Sequence, residues 1–232
     1  MSQIGNRAYL EIQRPEKEIV SLFKDIPIAC IADNMNRISC VDQSLKNYGG
    51  RSDLLGTAFT VKVPEGDNLL FHMALDLLQE GDVLIVDGNG CMHRSLCGEI
   101  MCTYAFKRGC AGMVVDGVIR DVEGISRLPI PVYARGVQAN GPFKNGLGEI
   151  NRPVAVGGIV IYPGDIIVGD ADGVVAIRPQ EAVELAEKAL STFRAEGKLL
   201  ETMRSTGQWD RKSFWDAIEK SNVEQIDGLF TF

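Results

Sequence analysis

Two short stretches carry residue types that could do chemistry together. Gly98-Glu99-Ile100-Met101 places an acid at the start of a helical pattern, and twenty residues separate Glu99 from Arg120-Asp121-Val122-Glu123. The run Met113-Val114-Val115-Asp116-Gly117-Val118-Ile119 between them is largely apolar, as in a strand buried within a parallel sheet. Open α/β sheets place ligands at the C-terminal ends of such strands. A guanidinium beside a carboxylate there suits an anionic substrate at Arg120 next to a hard metal ion at Asp121. The bland reading is a surface ion pair closing a turn.

The elements around these residues decide what they could do. If Cys97-Gly98 ends a loop and Glu99 opens a helix, the amides of Ile100 and Met101 belong to its unsatisfied first turn. Such donors, with the helix dipole behind them, form a ready carboxylate site. Arg120, arriving from the next strand end, could grip a carboxylate or enolate with two N–H groups. Asp121 could hold Mg2+ or Mn2+, which keep several waters and need few protein carboxylates. Glu99 could reach a water on that ion, or could merely cap its helix.

Short helices are expected over 16–24 and 28–36, a strand over 58–63, a helix over 68–78 and a strand over 83–87. A Gly-rich turn at Gly88-Asn89-Gly90, a helix over 98–107, the 113–119 strand and a strand at Pro131–Ala134 follow. This alternation implies an α/β fold with a parallel or mixed central sheet. Residues 153–178 change character: short apolar runs are broken by Pro163-Gly164-Asp165 and Asp170-Ala171-Asp172-Gly173. They read as a tightly turned antiparallel unit. A long helix is expected from Pro179 to about Arg204. Beyond it, Trp209, Phe214, Trp215 and Ile218 of an amphipathic tail are expected to pack on the body or on a neighbouring subunit. The division expected is a main domain over 1–178 and a helical extension over 179–232.

Composition narrows the classes. Hydrophobic residues make up 45% of the 232 positions and charged residues 24%, ordinary for a soluble globular protein. The formal charge of −7 disfavours nucleic acid and anionic membranes as partners. No apolar run approaches the roughly 20 residues of a membrane span. The N-terminal residues lack the apolar core of a signal peptide, so a cytoplasmic location is expected. Among the six cysteines, Cys91, Cys97, Cys102 and Cys110 cluster near His93. Their gaps of five, four and seven residues fit no common zinc spacing, and Cys102 and Cys110 look like core positions. Gly88-x-Gly90 lacks the third glycine of a dinucleotide fingerprint, and a turn is the better reading. No P-loop, nucleophile elbow or lysine in a Schiff-base motif is present.

Taken together, the G-E-I-M segment, the acid-x20-Arg-Asp-x-x-acid spacing and a downstream string resemble the RraA-like family. That string runs Asn151-Arg152-Pro153-Val154, Gly157-Gly158, Pro163-Gly164-Asp165 and Asp170-Ala171-Asp172-Gly173-Val174. The likeness covers roughly residues 25–180. It implies a layered sandwich with a swivelling β/β/α central unit, assembled as a homotrimer or a hexamer of two trimers. The family contains divalent-metal (class II) aldolases acting on 4-hydroxy-4-methyl-2-oxoglutarate and 4-carboxy-4-hydroxy-2-oxoadipate, and a regulator of ribonuclease E activity.

By that resemblance Arg120 binds the pyruvyl group and stabilises its enolate, Asp121 ligates the metal, and the amides of Ile100 and Met101, after Gly98, hold the substrate carboxylate. Glu99 stands where the aldolases have Asp, one methylene longer. The aldolases also draw a glutamate from a neighbour's C-terminal helix, for which Glu196 is the first candidate and Glu201 the second. The implied activity is metal-dependent (Mg2+ or Mn2+) retro-aldol cleavage of a 4-hydroxy-2-oxo dicarboxylic or tricarboxylic acid to pyruvate and a second oxo acid. Oxaloacetate decarboxylation would be a second activity. The alternative is a non-catalytic regulator that binds a ribonuclease or helicase partner.

Overall fold

The computed structural model describes residues 4–230 of the chain. Short elements come first: β1 (Asn6–Ala8), α1 (Lys17–Ser21), α2 (Ile28–Asp33) and β2 (Lys46–Asn47). Longer ones then alternate: β3 (Leu54–Lys62), α3 (Leu69–Leu77), β4 (Asp82–Ser95), α4 (Glu99–Lys107), β5 (Gly112–Ile119), α5 (Val122–Ile125) and β6 (Val132–Val137). Each crossover returns the chain to the same end, so β3, β4, β5 and β6 pair in parallel. After them come β7 (Gly148–Ile150), β8 (Val154–Val156), β9 (Ile159–Ile161), β10 (Ile166–Asp170) and β11 (Gly173–Ile177). The chain ends in α6 (Ala182–Thr206) and α7 (Lys212–Lys220).

The main sheet runs β1-β7-β3-β4-β5-β6-β2. The outer edge of β3 is shared: β10 pairs antiparallel with its first half and β7 with its last residues. Alternation along the strands builds two cores. Leu84 and Val86 of β4, with Met113 and Val115 of β5, pack under Phe71 and Leu75 of α3 and Cys102 and Ala105 of α4. Val83, Ile85 and Val114 point the other way, onto Val154, Val156 and Ile161 of the β8–β9 hairpin. Hairpin, sheet and helices thus form a β/β/α sandwich. A third cluster joins β10 and β11 to α2 and to Ala182, Leu185, Ala186 and Ala189 of α6.

By internal contacts the chain divides after Leu190. The first unit holds the sandwich and the first turns of α6. The second holds the rest of α6 and α7. Within it, Trp209 meets Phe214 edge-on at 5.4 Å, and Arg211 lies over both rings. Trp209, Phe214 and Trp215 remain exposed. Among the described residues no helix is long and apolar enough to cross a membrane.

Two local expectations need correction. Gly88-Asn89-Gly90 does not end its strand. Asn89 and Gly90 take left-handed φ values of 55° and 65°, and the ladder slips from Asp87 opposite Asp116 to Cys91 opposite Gly117. The result is a bulge, with β4 resuming beyond it and running to Ser95. Asn68 is not the first residue of its helix but the one preceding it, and its side chain makes no capping bond.

Candidate active site

The exits of β4 and β5 lie side by side because the strands are neighbours, and the backbone locks their continuations together. Leu96 N–H donates to Val118 O at 2.8 Å, and Arg120 N–H donates to Cys97 O at 3.0 Å. The residues leading into α4 are thereby fixed against the end of β5. Gly98 precedes α4 in extended conformation, and the first intrahelical bond runs from Cys102 N–H to Gly98 O at 3.1 Å. No side chain caps this end, so the amides of Ile100 and Met101 have no intrahelical acceptor. Met101 is buried while Ile100 is 85% exposed.

Asp121 sits at the N-cap of α5 with φ 59° and ψ 38°, a left-handed conformation that Asp tolerates better than most residues. Its carbonyl accepts from the amides of Gly124 and Ile125, each at 3.1 Å, which starts the short helix. Arg120 Nε lies 3.5 Å from Asp121 Oδ2, and the two side chains are 45% and 47% exposed. The pair is open to solvent and leaves most of its hydrogen-bonding capacity unused.

Two glycines permit this corner. A Cβ at Gly98 would collide with Asp121 Oδ2 and lie 3.1 Å from Arg120 Cγ. A Cβ at Gly124 would collide with the carboxylate of Glu99. Each helix start therefore rests on the acid of the other: the Asp121 carboxylate against the backbone at Gly98, the Glu99 carboxylate against α5. Gly98, Glu99, Ile100, Met101, Arg120 and Asp121, expected together from sequence, are gathered here. Glu196 lies on the exposed part of α6 in the second unit.

Asn68 was missed by sequence reasoning. Its Nδ2 donates to Leu96 O at 2.8 Å and reaches Met101 Sδ at 3.4 Å, tying the start of α3 to the first turn of α4. Its Oδ1 is buried without a partner among the described residues. The clue was an Asn ahead of an apolar helical run, where a cap is the default expectation. All six cysteines lie outside disulfides, and beneath the site Cys102 and Cys110 are core residues as expected. A hydrogen bond to Cys102 and burial push the Cys97 thiol well above its usual range, and burial pushes Cys110 up to about 12. These thiols stay protonated at neutral pH.

The oxygen donors suit a hard divalent ion. Among the described residues no three His, Cys, Asp or Glu side chains are placed to share a metal. An ion held by the exposed Asp121 carboxylate would therefore keep a largely aqueous shell, as Mg2+ does.

The RraA-like model, described as Aldolase/RraA, matches residues 28–176. A Halalkalibacterium halodurans protein provisionally named 4-hydroxy-4-methyl-2-oxoglutarate aldolase is 35% identical over 77% of this chain and 85% of its own. The RNA-processing inhibitor RraA of Thermus thermophilis superposes with a TM-score of 0.61 at 30% identity, over 65% of this chain and 92% of that one. Streptomyces coelicolor RraAS2, described as an unusual member of the RNase ES inhibitor RraA protein family, gives 0.72 at 26% identity, over 81% and 98%. The matched residues 28–176 include the parallel strands β3 to β6 and the corner between α4 and β5. The chain belongs to the RraA-like family.

Proposed function

We propose that the protein cleaves a 4-hydroxy-2-oxo dicarboxylic or tricarboxylic acid by a retro-aldol reaction, releasing pyruvate and a second oxo acid, with Mg2+ or Mn2+ at Asp121. The observation that carries this reading is the convergence of an uncapped helix start with an open Arg–Asp pair. The provisional aldolase names of the curated relatives support it. The substrate's C1 carboxylate would accept hydrogen bonds from the Ile100 and Met101 amides, where the dipole of α4 favours an anion. Arg120 would face the C2 oxygen and oppose charge as it develops there. A divalent ion held by Asp121 supplies Lewis-acid polarisation of the C2 carbonyl.

In the bond-breaking step the C4 hydroxyl loses its proton and the C3–C4 bond breaks. The electron pair moves onto C3 as the pyruvate enolate, and C4 leaves as the carbonyl of the second acid. Glu99 and Asp121 together can position one water, which takes the C4 hydroxyl proton and returns a proton to C3. Loss of carbon dioxide from oxaloacetate passes through the same enolate, so the same residues would serve it.

Arg120 and Asp121 are open on one side, as expected of a site completed by a second copy of the chain. We assign that role to Glu196 within a trimer or hexamer. Glu196→Ala should lower activity while the oligomer persists, Asp121→Ala should be inactive, and their subunit-exchanged mixture should recover part of the activity. Mixed oligomers without recovery would remove Glu196 from the site.

The main test is pyruvate release from several 4-hydroxy-2-oxo acids and from oxaloacetate, with Mg2+ or with EDTA. Turnover should disappear in EDTA and return with Mg2+. Full turnover in excess chelator, or borohydride trapping of a pyruvyl adduct, defeats the metal reading. The Thermus and Streptomyces neighbours, an RNA-processing inhibitor and a member of an RNase inhibitor family, favour a second reading, a protein-binding regulator. No pyruvate from any acid, with binding to a ribonuclease, would select it.

A further inference from the structure

Four arginines in the sandwich show what an arginine does here when its task is structural. Arg14 is paired with Asp82, Arg135 with Asp116, Arg152 with Glu149 and Arg178 with Asp165. Arg94, two residues before the turn into α4, is different. It is half-buried, yet no carboxylate among the described residues lies within ion-pair distance of it. It is also held in place. Its stem packs on Gly66, where a Cβ would fall 2.9 Å from Arg94 Cδ. Its guanidinium carbon sits 4.1 Å from the centre of the Phe143 ring, and Nη1 donates to Gly141 O at 3.0 Å.

The loop beneath it is equally constrained. Ser95 N–H and Oγ–H both donate to Asn140 O, at 2.8 and 2.9 Å. Phe143 N–H donates to Gly66 O at 2.8 Å, and Asn68 N–H donates to Phe143 O at 3.1 Å. The loop carries Arg94 to the neighbourhood of the proposed enolate site: a Cβ on Gly141 would lie 2.9 Å from Arg120 Nη1. One residue thus meets both guanidiniums, through its carbonyl and through its Cα. An arginine has five N–H groups, and a single hydrogen bond accounts for one of them at Arg94. The stacked ring lowers the entropy lost when the remaining edge engages an anion.

We propose that Arg94 binds the distal carboxylate of the substrate and is the residue that selects dicarboxylic over monocarboxylic 4-hydroxy-2-oxo acids. The inference rests on the retro-aldol reading above. There, the α4 amides and Arg120 account for the carboxylate and oxo group of the pyruvyl half, and the other half needs its own cation. A planar guanidinium fixed by stacking presents its edge bidentately, which a lysine cannot reproduce.

The test compares 4-hydroxy-4-methyl-2-oxoglutarate with 4-hydroxy-2-oxopentanoate, which keeps the reacting carbons and lacks the distal carboxylate. In Arg94→Met, kcat/KM for the dicarboxylate should fall about 10- to 100-fold, the range for losing a charged hydrogen-bond partner. The fall should appear mainly in KM. It should exceed the fall for the monocarboxylate at least fivefold. Arg94→Lys, which keeps the charge and much of the stem, should fall in between. Exchange of deuterium into the methyl group of pyruvate reads the enolate site separately and should change less than dicarboxylate cleavage does. Equal losses on both acids, or no loss on either, overturn the assignment and leave Arg94 as a pin for the Gly141 loop. If the parent neither exchanges pyruvate nor cleaves either acid, the retro-aldol reading fails first and this inference with it.

Discussion

The same two residue types meet at opposite ends of the parallel strands, with different consequences. At the start of β4, Arg14 Nε and Nη2 each donate to an oxygen of Asp82 at 2.8 Å, and Gln79 N–H adds a third bond at 2.8 Å. The Asp82 side chain is 1% exposed. At the exit of β5, Arg120 and Asp121 touch at 3.5 Å by one contact, each nearly half exposed. Arg178 and Asp165 resemble the first case: Nη1 reaches both carboxylate oxygens at 2.7 and 2.6 Å, with the guanidinium 3.6 Å from the Tyr162 ring centre. A buried carboxylate that accepts three hydrogen bonds through its two oxygens joins distant parts of the chain and is closed to other chemistry. One that keeps them can take a ligand. An Arg–Asp pair is therefore informative through its unused capacity.

The largest effect should separate the two ends by function. Arg120→Ala should lower pyruvate release about 10²- to 10³-fold, the usual consequence of removing a donor aimed at developing charge. Its unfolding free energy should stay within about 0.5 kcal/mol of the parent, since an exposed pair contributes little. Denaturant titration alongside the assay checks both halves. A large stability loss would make this pair structural like the others.

Asp82→Ala should do the reverse. It leaves Arg14 without its partner and the Gln79 amide without its acceptor. We expect a loss of about 3 kcal/mol, at the low end for a broken buried pair because a quarter of Arg14 stays in solvent. At temperatures where the variant is folded, the activity per folded molecule should match the parent. A selective drop in turnover would erase the distinction between the ends.

Gly98→Ala should fall between these extremes. The added methyl meets Asp121 Oδ2, so the half-exposed carboxylate must turn away from the corner, costing about 1 kcal/mol as mild overpacking does. Half-maximal activity should need more Mg2+, whereas Gly197→Ala on α6, whose Cβ would meet nothing within 4 Å, should leave that requirement unchanged. An unaltered metal requirement in Gly98→Ala would show that the close approach is incidental to ion binding.

The smallest effect concerns pH. Burial holds the Asp165 carboxyl above its ordinary value, an upward push that hydrogen bonds from Tyr162 N–H and Arg178 only partly oppose. The folded protein therefore binds this proton more tightly than the unfolded chain. Stability contributed by the protonated form is present below the unfolded value and declines as pH rises through the folded one. Asp165→Asn should remove that portion of the decline in denaturant titrations from pH 3.5 to 7. An unchanged slope would mean that Arg178 fully compensates the burial.

How much of this was legible depends on the range of each interaction. Helix α4 and strand β5 follow from local periodicity, since their apolar residues repeat as a helix and a buried strand require. The tightly turned antiparallel character of 154–177 follows from short apolar runs broken by Gly157-Gly158, Pro163-Gly164 and Asp172-Gly173, but that the first pair, β8 with β9, leaves the main sheet does not. The Gly98–Met101 and Arg120–Asp121 segments were legible as a pair because one crossover between adjacent parallel strands must bring the ends of those strands together. The bulge at Asn89 and Gly90 reads as a turn from sequence, since the residues are the same in both. What separates the two is whether β5 is there to resume pairing at Cys91.

By itself, then, the amino-acid order determined the longer central elements and the corner where an acid, a guanidinium and free amides could meet, but not the short strands β1, β2 and β7 or the helix α5. The tertiary structure alone decided which partner each polar side chain found. Asn68 reaches Leu96 across 28 positions and Arg94 reaches Gly141 across 47. Only the packed chain shows that Asp82 is closed while Asp121 is open, or that Gly98 and Gly124 make room for each other's acids. The physical reason is that hydrophobic periodicity is written into neighbouring residues, whereas burial, charge pairing and close approach belong to segments that become neighbours only when the sheet has formed.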